Sequence, residues 1–324
     1  MASVEWNPVT LNTQLHAPTA AVRVGDNTVA YVCQVQARKT HGEECQNCVR
    51  RLACLLVTKL SDGTYREEVI VSHIVTDVHR ECVGYVGGRL YILVPGPEES
   101  LYGKSTHESV GVVTLSLDTH VWTVYPPTQL PRKIYPRCSF SLGGCWYIVG
   151  PKACDSRDTV ILKYNSFSQL WSQAPCNLIF DAFSILSCAV VGDTVYMLDS
   201  RHLLMLRFTE KSSGVECELP RDLGGVLSVF ALGTHILINA GVSRYSRTPS
   251  PCFYAYSTVS GEWTAYEQER HERQSESCEW VGGSIGEGTA LYLHTERDPM
   301  SHTTTGVLYC KAITATLPET EDVT

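Results

Sequence analysis

The sequence predicts an all-β chain folded as a six-bladed β-propeller of four-stranded antiparallel blades. Three observations carry this. A strand–glycine–strand hairpin recurs six times along 324 residues. A second unit of apolar strand, polar turn and aromatic residue follows the hairpins. Helical periodicity is weak throughout. A hairpin recurring every roughly 40–60 residues matches one propeller blade per repeat. Length alone would suggest about two domains, but six blades of about 50 residues use the whole chain.

The hairpins read VGDNTVAYV from Val24, VGGRLYILV from Val86, LGGCWYIVG from Leu142, VGDTVYMLD from Val191, LGTHILINA from Leu232 and GEGTALYLH from Gly286. Each supplies strands a and b of a blade around a turn glycine: Gly25, Gly87, Gly143, Gly192, Gly233 and Gly286. Strands c and d follow. VVTLSLDTHVWTVYPP carries Trp122, VILKYNSFSQLWSQAP carries Trp171 and CFYAYSTVSGEWTAYE carries Trp263 near the start of strand d. Tyr65 takes that place in CLLVTKLSDGTYREEV, and Glu216 takes it in the fourth repeat, four residues before Pro220. Hydrophobic alternation in these strands is blurred, as expected when both faces of a sheet are covered.

The last repeat has strands a and b over 278–294 and a c strand around 306–316, and then only the acidic tail PETEDVT. The chain opens with VEWNPVTL, in which Trp6 occupies the aromatic place of a strand d. The N-terminal strand is therefore expected to pair with the last strand c and close the ring, which removes exposed edges. The alternative is that Trp6 caps the first blade from outside. The expected layout is one domain: a closing strand and linker over 1–17, six blades over 18–317 and an acidic tail over 318–324. The stretch EQERHERQSE at 267–276 is the best local helix candidate, read here as a solvated inter-blade loop.

Composition narrows the class. Hydrophobic residues make up 44% of the chain, ample for a core. No segment approaches 18 uncharged apolar residues, so no membrane span is expected, and the start MASVEWNPVTLN lacks the pattern of a signal peptide. The 14 cysteines are scattered. Cys33, Cys54, Cys188 and Cys310 fall in apolar strands, where a free thiol packs as a small hydrophobe. A reducing compartment, cytosol or nucleus, is expected. The net charge of −8 argues against nucleic-acid binding.

These features resemble the kelch repeat family, whose pattern is a glycine turn before a tyrosine-containing strand, a double glycine after it and a tryptophan further on. The matches are Gly87 and Gly88 with Tyr91 and Trp122, Gly143 and Gly144 with Tyr147 and Trp171, and Gly192 with Tyr196. The family's arginine ahead of strand a appears as Arg80 and Arg137. The repeats are degenerate: Gly96, Gly150 and Gly241 stand alone after strand b, and Asp199 and Thr295 replace the glycine elsewhere. The resemblance implies a protein-interaction module. Many kelch proteins recruit substrates to a cullin-3 ubiquitin ligase through BTB and BACK domains, which this chain does not contain. The chain is expected to be either a stand-alone kelch protein or the propeller of a longer one, of cellular or large-DNA-virus origin. The alternatives are an actin-associated structural kelch protein and a copper oxidase resembling galactose oxidase.

Loop lengths orient the expected propeller. Antiparallel order puts a–b and c–d turns on one edge and b–c and d–a connections on the other. The first set is short (GDN, GGR, SDG). The second is long, with b–c connections at 36–51, 95–109, 151–159, 243–251 and 295–305. Long, varied loops on a rigid scaffold are where function sits. Most of the 26 Lys and Arg fall in b–c or d–a connections, against half of the 34 Asp and Glu, so this edge is the basic end of an acidic molecule. Arginine recognises carboxylates by a planar bidentate fork. The expected partner is an acidic peptide or protein. The candidate contacts are Arg157, Arg201, Arg244 and Arg247 from b–c loops and Arg80 and Arg137 from d–a loops. Tyr102 and Tyr245 are candidate aromatic anchors. For Arg80 and Arg137 a structural role at the blade junction is the equal alternative.

The first b–c loop holds HGEECQNC, with His41, Cys45 and Cys48. A CxxC with a nearby histidine is half of a zinc site. It has no second CxxC here, so inert loop cysteines are the leading reading and a redox-sensitive pair the next. P-loop, GxSxG and HExxH motifs are absent, as are sialidase-type Asp boxes. No spacing of Tyr and His picks out a copper site. No catalytic activity and no cofactor are expected.

Overall fold

Strand follows strand because the chain alternates apolar runs of five to ten residues with turns that need glycine. The computed structural model describes residues 5–9, 18–36, 50–75, 82–95, 107–152, 158–174, 185–208, 210–220, 223, 226–240, 253–266, 280–286, 288–297 and 308–316. In chain order the strands begin with β1 (Glu5–Val9). The first sheet is β2 (Pro18–Gly25), β3 (Thr28–Gln36), β4 (Arg50–Lys59) and β5 (Tyr65–Val75). The second is β6 (Val83–Val86), β7 (Arg89–Pro95), β8 (His107–Ser116) and β9 (Trp122–Ile134). The third is β10 (Cys138–Leu142), β11 (Cys145–Pro151), β12 (Thr159–Asn165) and β13 (Leu170–Gln173). The fourth is β14 (Ser187–Val191), β15 (Thr194–Leu198), β16 (His202–Arg207) and β17 (Ser212–Glu218). The fifth is β18 (Val226–Leu232), β19 (His235–Ala240), β20 (Phe253–Ser257) and β21 (Trp263–Tyr266). The sixth is β22 (Trp280–Ser284), β23 (Thr289–Arg297) and β24 (Leu308–Thr316), completed by β1. All described pairings are antiparallel, and all join sequence neighbours except that of β1 with β24. The described residues are thus all-β, built from four-stranded antiparallel propeller blades.

Register gives the repeat an atomic definition. The second residue of each strand b faces one residue of strand c and one of strand d. These rows read Leu90–Leu115–Trp122, Trp146–Tyr164–Trp171, Ile236–Tyr256–Trp263 and Ala290–Ala315–Trp6. Trp6 therefore stands in the same row as the three other tryptophans, as expected of a closing strand d. Two sequence assignments shift. In the fourth sheet the row is Val195–Leu206–Ser213, so Ser213 holds the place and not Glu216. A bulge between Leu203 and Leu204 lengthens the route to Pro220, the residue used as anchor. In the first sheet the row ends at Glu67, two residues beyond Tyr65.

The chain forms two compact units. One comprises Met1–Thr76 with Asp222–Thr324, and the other Asp77–Arg221. Each holds three sheets. In the Asp77–Arg221 unit the core lies between sheets. Trp146, Ile148, Leu162 and Tyr164 pack against Tyr91, Leu93 and Val112 of the second sheet. The alternate residues Tyr147, Val149 and Ile161 pack against Val195, Met197 and Leu204 of the fourth. Both faces of β11 are therefore apolar, which explains the blurred alternation. Trp146, Tyr164 and Trp171 form a contiguous aromatic cluster, with ring centroids 4.9–6.1 Å apart. Gly84 makes room for it: a Cβ there would lie 2.3 Å from Trp146 Cδ1. Polar links join neighbouring strands a. Ser139 Oγ donates to the Val83 carbonyl at 3.1 Å, and the Tyr85 N–H donates to Ser141 Oγ at 3.0 Å.

In the other unit the sixth sheet packs on the first and on the fifth. Tyr31, Leu55 and Val57 meet Leu291 and Leu293, and the buried Tyr31 hydroxyl donates to the Leu291 carbonyl at 2.7 Å. Leu237, Phe253 and Tyr266 meet Tyr292. Gly282 and Gly283 in β22 allow these contacts, since added Cβ atoms would lie 2.6 Å from Phe230 and 2.7 Å from Val29. Burial pushes the Tyr292 hydroxyl well above its usual range and also raises the Cys54 thiol. Cys33, Cys54, Cys82, Cys138, Cys145, Cys188 and Cys217 form no disulfide with one another. No helix among the described residues is long and apolar enough to cross a membrane.

Candidate functional site: the long-loop edge

The turn geometry sorts the two edges of each sheet. The a–b turns at residues 26–27, 87–88, 143–144, 192–193 and 233–234 span two residues each, and the c–d turns at 60–64, 117–121, 166–169, 208–211 and 258–262 span four or five. Gly87, Gly143, Gly192 and Gly233 all take φ between +55° and +61°, the left-handed region these tight hairpins require. The b–c and d–a connections occupy the opposite edge. They are longer with two exceptions: residues 199–201 join β15 to β16, and 135–137 join β9 to β10.

Of the eight sequence-predicted contacts, Arg137 and Arg201 lie among the described residues. Arg80, Tyr102, Arg157, Arg244, Tyr245 and Arg247 lie outside them, as do His41, Cys45 and Cys48 and the stretch 267–276. Arg137 and Arg201 belong to the same unit and to the same edge, on the third and fourth sheets.

The Arg137 connection is held by the ladder. Its N–H donates to the Val149 carbonyl at 2.9 Å, and the Tyr135 N–H donates to the Pro151 carbonyl at 2.8 Å. The connector thus runs on as an extension of β10 against β11. Gly150 permits this passage, because a Cβ there would fall 2.0 Å from the Tyr135 carbonyl oxygen. That is the physical need behind the glycine after strand b. The Arg137 guanidinium sits 4.8 Å from the centroid of the Tyr135 ring, a cation–π geometry, and the residue is half-buried. Both weighed roles therefore have a footing here: packing on Tyr135, and a charge at the edge.

Arg201 is exposed in the short turn between β15 and β16. Its N–H and that of His202 each donate to Asp199 Oδ1 at 2.6 Å. Its carbonyl accepts the Leu219 N–H at 2.8 Å, which ties the turn to the end of β17. The backbone below the arginine is fixed, while the guanidinium is free to reach outward.

Three further cations stand on this edge: the exposed Arg132 and Lys133 at the end of β9, and exposed Lys152 just after β11, whose N–H donates to the Asp158 carbonyl at 2.9 Å. Among the described side chains of this edge in the Asp77–Arg221 unit, five cations (Arg132, Lys133, Arg137, Lys152, Arg201) stand against four carboxylates (Asp158, Asp199, Glu216, Glu218). Sequence reasoning did not single out Arg132 and Lys133. The signal was the run PRKIYPR, which packs three cations into seven residues beside the strand end. Among the described residues no group of three or more His, Cys, Asp or Glu is placed to hold a metal ion.

No family model matches the chain, and no curated protein matches it. Solved structures do. One, "Structure of YjhT", aligns over 94% of this chain and 96% of that one, with a TM-score of 0.57 at 12% sequence identity. At that identity the likeness is one of fold alone, and the fold it supports over nearly the full length of both chains is a β-propeller.

Proposed function

We propose that this chain is a protein-interaction module, a kelch-type propeller whose long-loop edge takes an acidic peptide or protein and carries out no catalysis. The reading treats the six four-stranded sheets as the blades of one propeller. The observation that carries it is the excess of cations on the described part of that edge in the Asp77–Arg221 unit: Arg132, Lys133, Arg137, Lys152 and Arg201 against Asp158, Asp199, Glu216 and Glu218, in a chain whose net charge is −8. Such an edge attracts carboxylates by steering, and by bidentate contacts where an arginine is engaged. A substrate-recognition or decoy role linked to cullin-3 ubiquitination, in the cytosol or nucleus, is the specific form of this reading that the kelch-like pattern favours.

The test is affinity capture from cell lysate, followed by alanine substitution. Arg132→Ala, Lys133→Ala and Arg201→Ala together should weaken a captured partner and leave the melting temperature unchanged. Each fully engaged arginine should contribute about 2–5 kcal/mol, and each solvent-exposed one well under about 1 kcal/mol with a salt-dependent on-rate. Unchanged binding by the triple variant places the partner on another surface. Cosedimentation with filamentous actin tests the structural alternative, and metal analysis showing about one copper per chain would establish the oxidase reading.

A further inference from the structure

The outermost strands of the second and third sheets show solvent a strip without charge. Among the described strands, β9 and β13 each have a neighbour in their sheet on one side only. The two strands lie in contact, and Tyr125 and Leu130 of β9 join Trp171 of β13 in one apolar cluster. Val124 and Leu170, next in sequence to Tyr125 and Trp171, therefore stand on the outer flanks of the pair. From Val121 to Pro131 and from Tyr164 to Ala174 the chain holds no Asp, Glu, Lys, Arg or His, although 19% of the whole is charged. By contrast, β5 carries Arg66, Glu67 and Glu68, and β17 carries Glu216 and Glu218. The strip is also apolar: Phe167 is 97% exposed, Leu170 61%, Val121 55% and Val124 53%. Phe167 is held out by its turn. Asn165 Oδ1 accepts the N–H groups of Phe167 and Ser168 at 2.9 and 3.1 Å. Gln169, at φ +57°, donates its N–H to the Asn165 carbonyl at 2.8 Å. The turn is thus ordered before any partner arrives.

We propose that this strip is where two copies of the chain meet about a two-fold axis. Single exposed apolar residues are ordinary, but several on adjoining strands with charge depleted around them have the composition of an interface core. Charge selects the occupant. Each copy carries a net charge of −8, so contact through a charged surface sets like charges against each other, whereas this strip brings none. Its margin holds one charge of each sign: Lys163, the register partner of Ser172, and Asp118 in the turn before β9. The polar groups suit a two-fold contact as well. In such a contact a residue near the axis meets its own counterpart. The exposed Ser168, Gln169, Ser172 and Gln173 carry hydroxyl and amide groups, which both donate and accept. Two identical carboxylates or ammonium groups cannot pair in that way. The c–d turns lie on the edge opposite the b–c and d–a connections, so a dimer formed here leaves the long-loop edge open.

The experiment is sedimentation equilibrium of the full chain from about 1 to about 100 µM, the range suited to an interface of modest area. The wild type passes from the 35.9 kDa monomer to a dimer as concentration rises. Its dissociation constant does not increase between about 0.05 and about 0.5 M salt, because no charge pair is there to be screened. Phe167→Glu sets a carboxylate against its own counterpart and raises the constant about tenfold or more. Circular dichroism and melting temperature stay unchanged, since the ring lies outside the core. Phe167→Leu keeps the dimer. Val259→Glu, at another exposed apolar position in the c–d turn of the fifth sheet, leaves the constant unchanged. A wild type that stays monomeric at about 100 µM overturns the inference, whatever other protein is later found on this strip. So does a dimer that Phe167→Glu leaves intact, or one that salt dissolves, which places the contact on a charged surface. None of these results bears on the reading of the long-loop edge.

Discussion

At Trp171 one side chain carries the packing of a whole blade. It is 8% exposed, its ring centroid lies 4.9 Å from that of Tyr164 and 5.5 Å from that of Trp146, and its row reaches the neighbouring sheet through Trp146. Trp171→Ala should cost about 3–5 kcal/mol, measurable by urea unfolding. Gly84→Ala, which drives a Cβ into the Trp146 indole, should cost about 1–3 kcal/mol by overpacking. His235 gives a pH test. Burial lowers its pKa in the folded protein, so the unfolded chain holds the proton more readily. Its contribution is present above the ordinary histidine value and is lost as pH falls through the folded one. His235→Gln should therefore narrow the drop in melting temperature between about pH 8 and about pH 5. The tryptophans and turn glycines were legible in the sequence because each fills a recurring geometric need. Arg137 was legible as a charge ahead of a strand, yet its seat over Tyr135 was not: that contact depends on the connector running beside Pro151, which no local spacing encodes.

At the scale of the strand, alternation fails as a guide wherever neighbours cover both faces, and register takes over. Glu216 and Ser213 show why. Counting back from Pro220 lands three residues past Ser213; the bulge after Leu203 accounts for one of them, and the longer stretch of β17 before Pro220 for the rest. The turn lengths were legible because glycine with positive φ marks the tight hairpins. The b–c connections were drawn too wide: Arg50 and Arg51 belong to β4 and Arg297 to β23, since charged residues extend a strand past its apolar core. The element most open to test is β1. Its pairing with β24, from Glu5 opposite Thr316 to Val9 opposite Ala312, satisfies a strand edge that would otherwise face solvent. Deleting residues 1–12 should lower the melting temperature and promote self-association, seen by light scattering. An unchanged melting temperature would mean that the sixth sheet stands on three strands.

At the scale of the molecule, the described long-loop edge of the Asp77–Arg221 unit carries more cations than carboxylates. Binding at the long-loop edge should weaken steeply with salt if several cations are engaged, because exposed charges more than about 8–10 Å apart are screened at physiological ionic strength. A salt-insensitive partner would point to the exposed apolar residues of the c–d turns, such as Phe167 and Val259. The β1–β24 pairing has a further consequence, for folding order. It is the strand pairing of greatest sequence separation among the described residues, so its loop-closure entropy falls due last. During synthesis β24 emerges from the ribosome after every other strand, and until then β1 has no native partner. The seam is a matter of connectivity and not of packing. Joining the two ends with a short linker and reopening the chain at the c–d turn between Ser168 and Gln169 should yield a circular permutant with the same fold. In that permutant β1 and β24 become a local hairpin, and the slowest refolding phase should disappear.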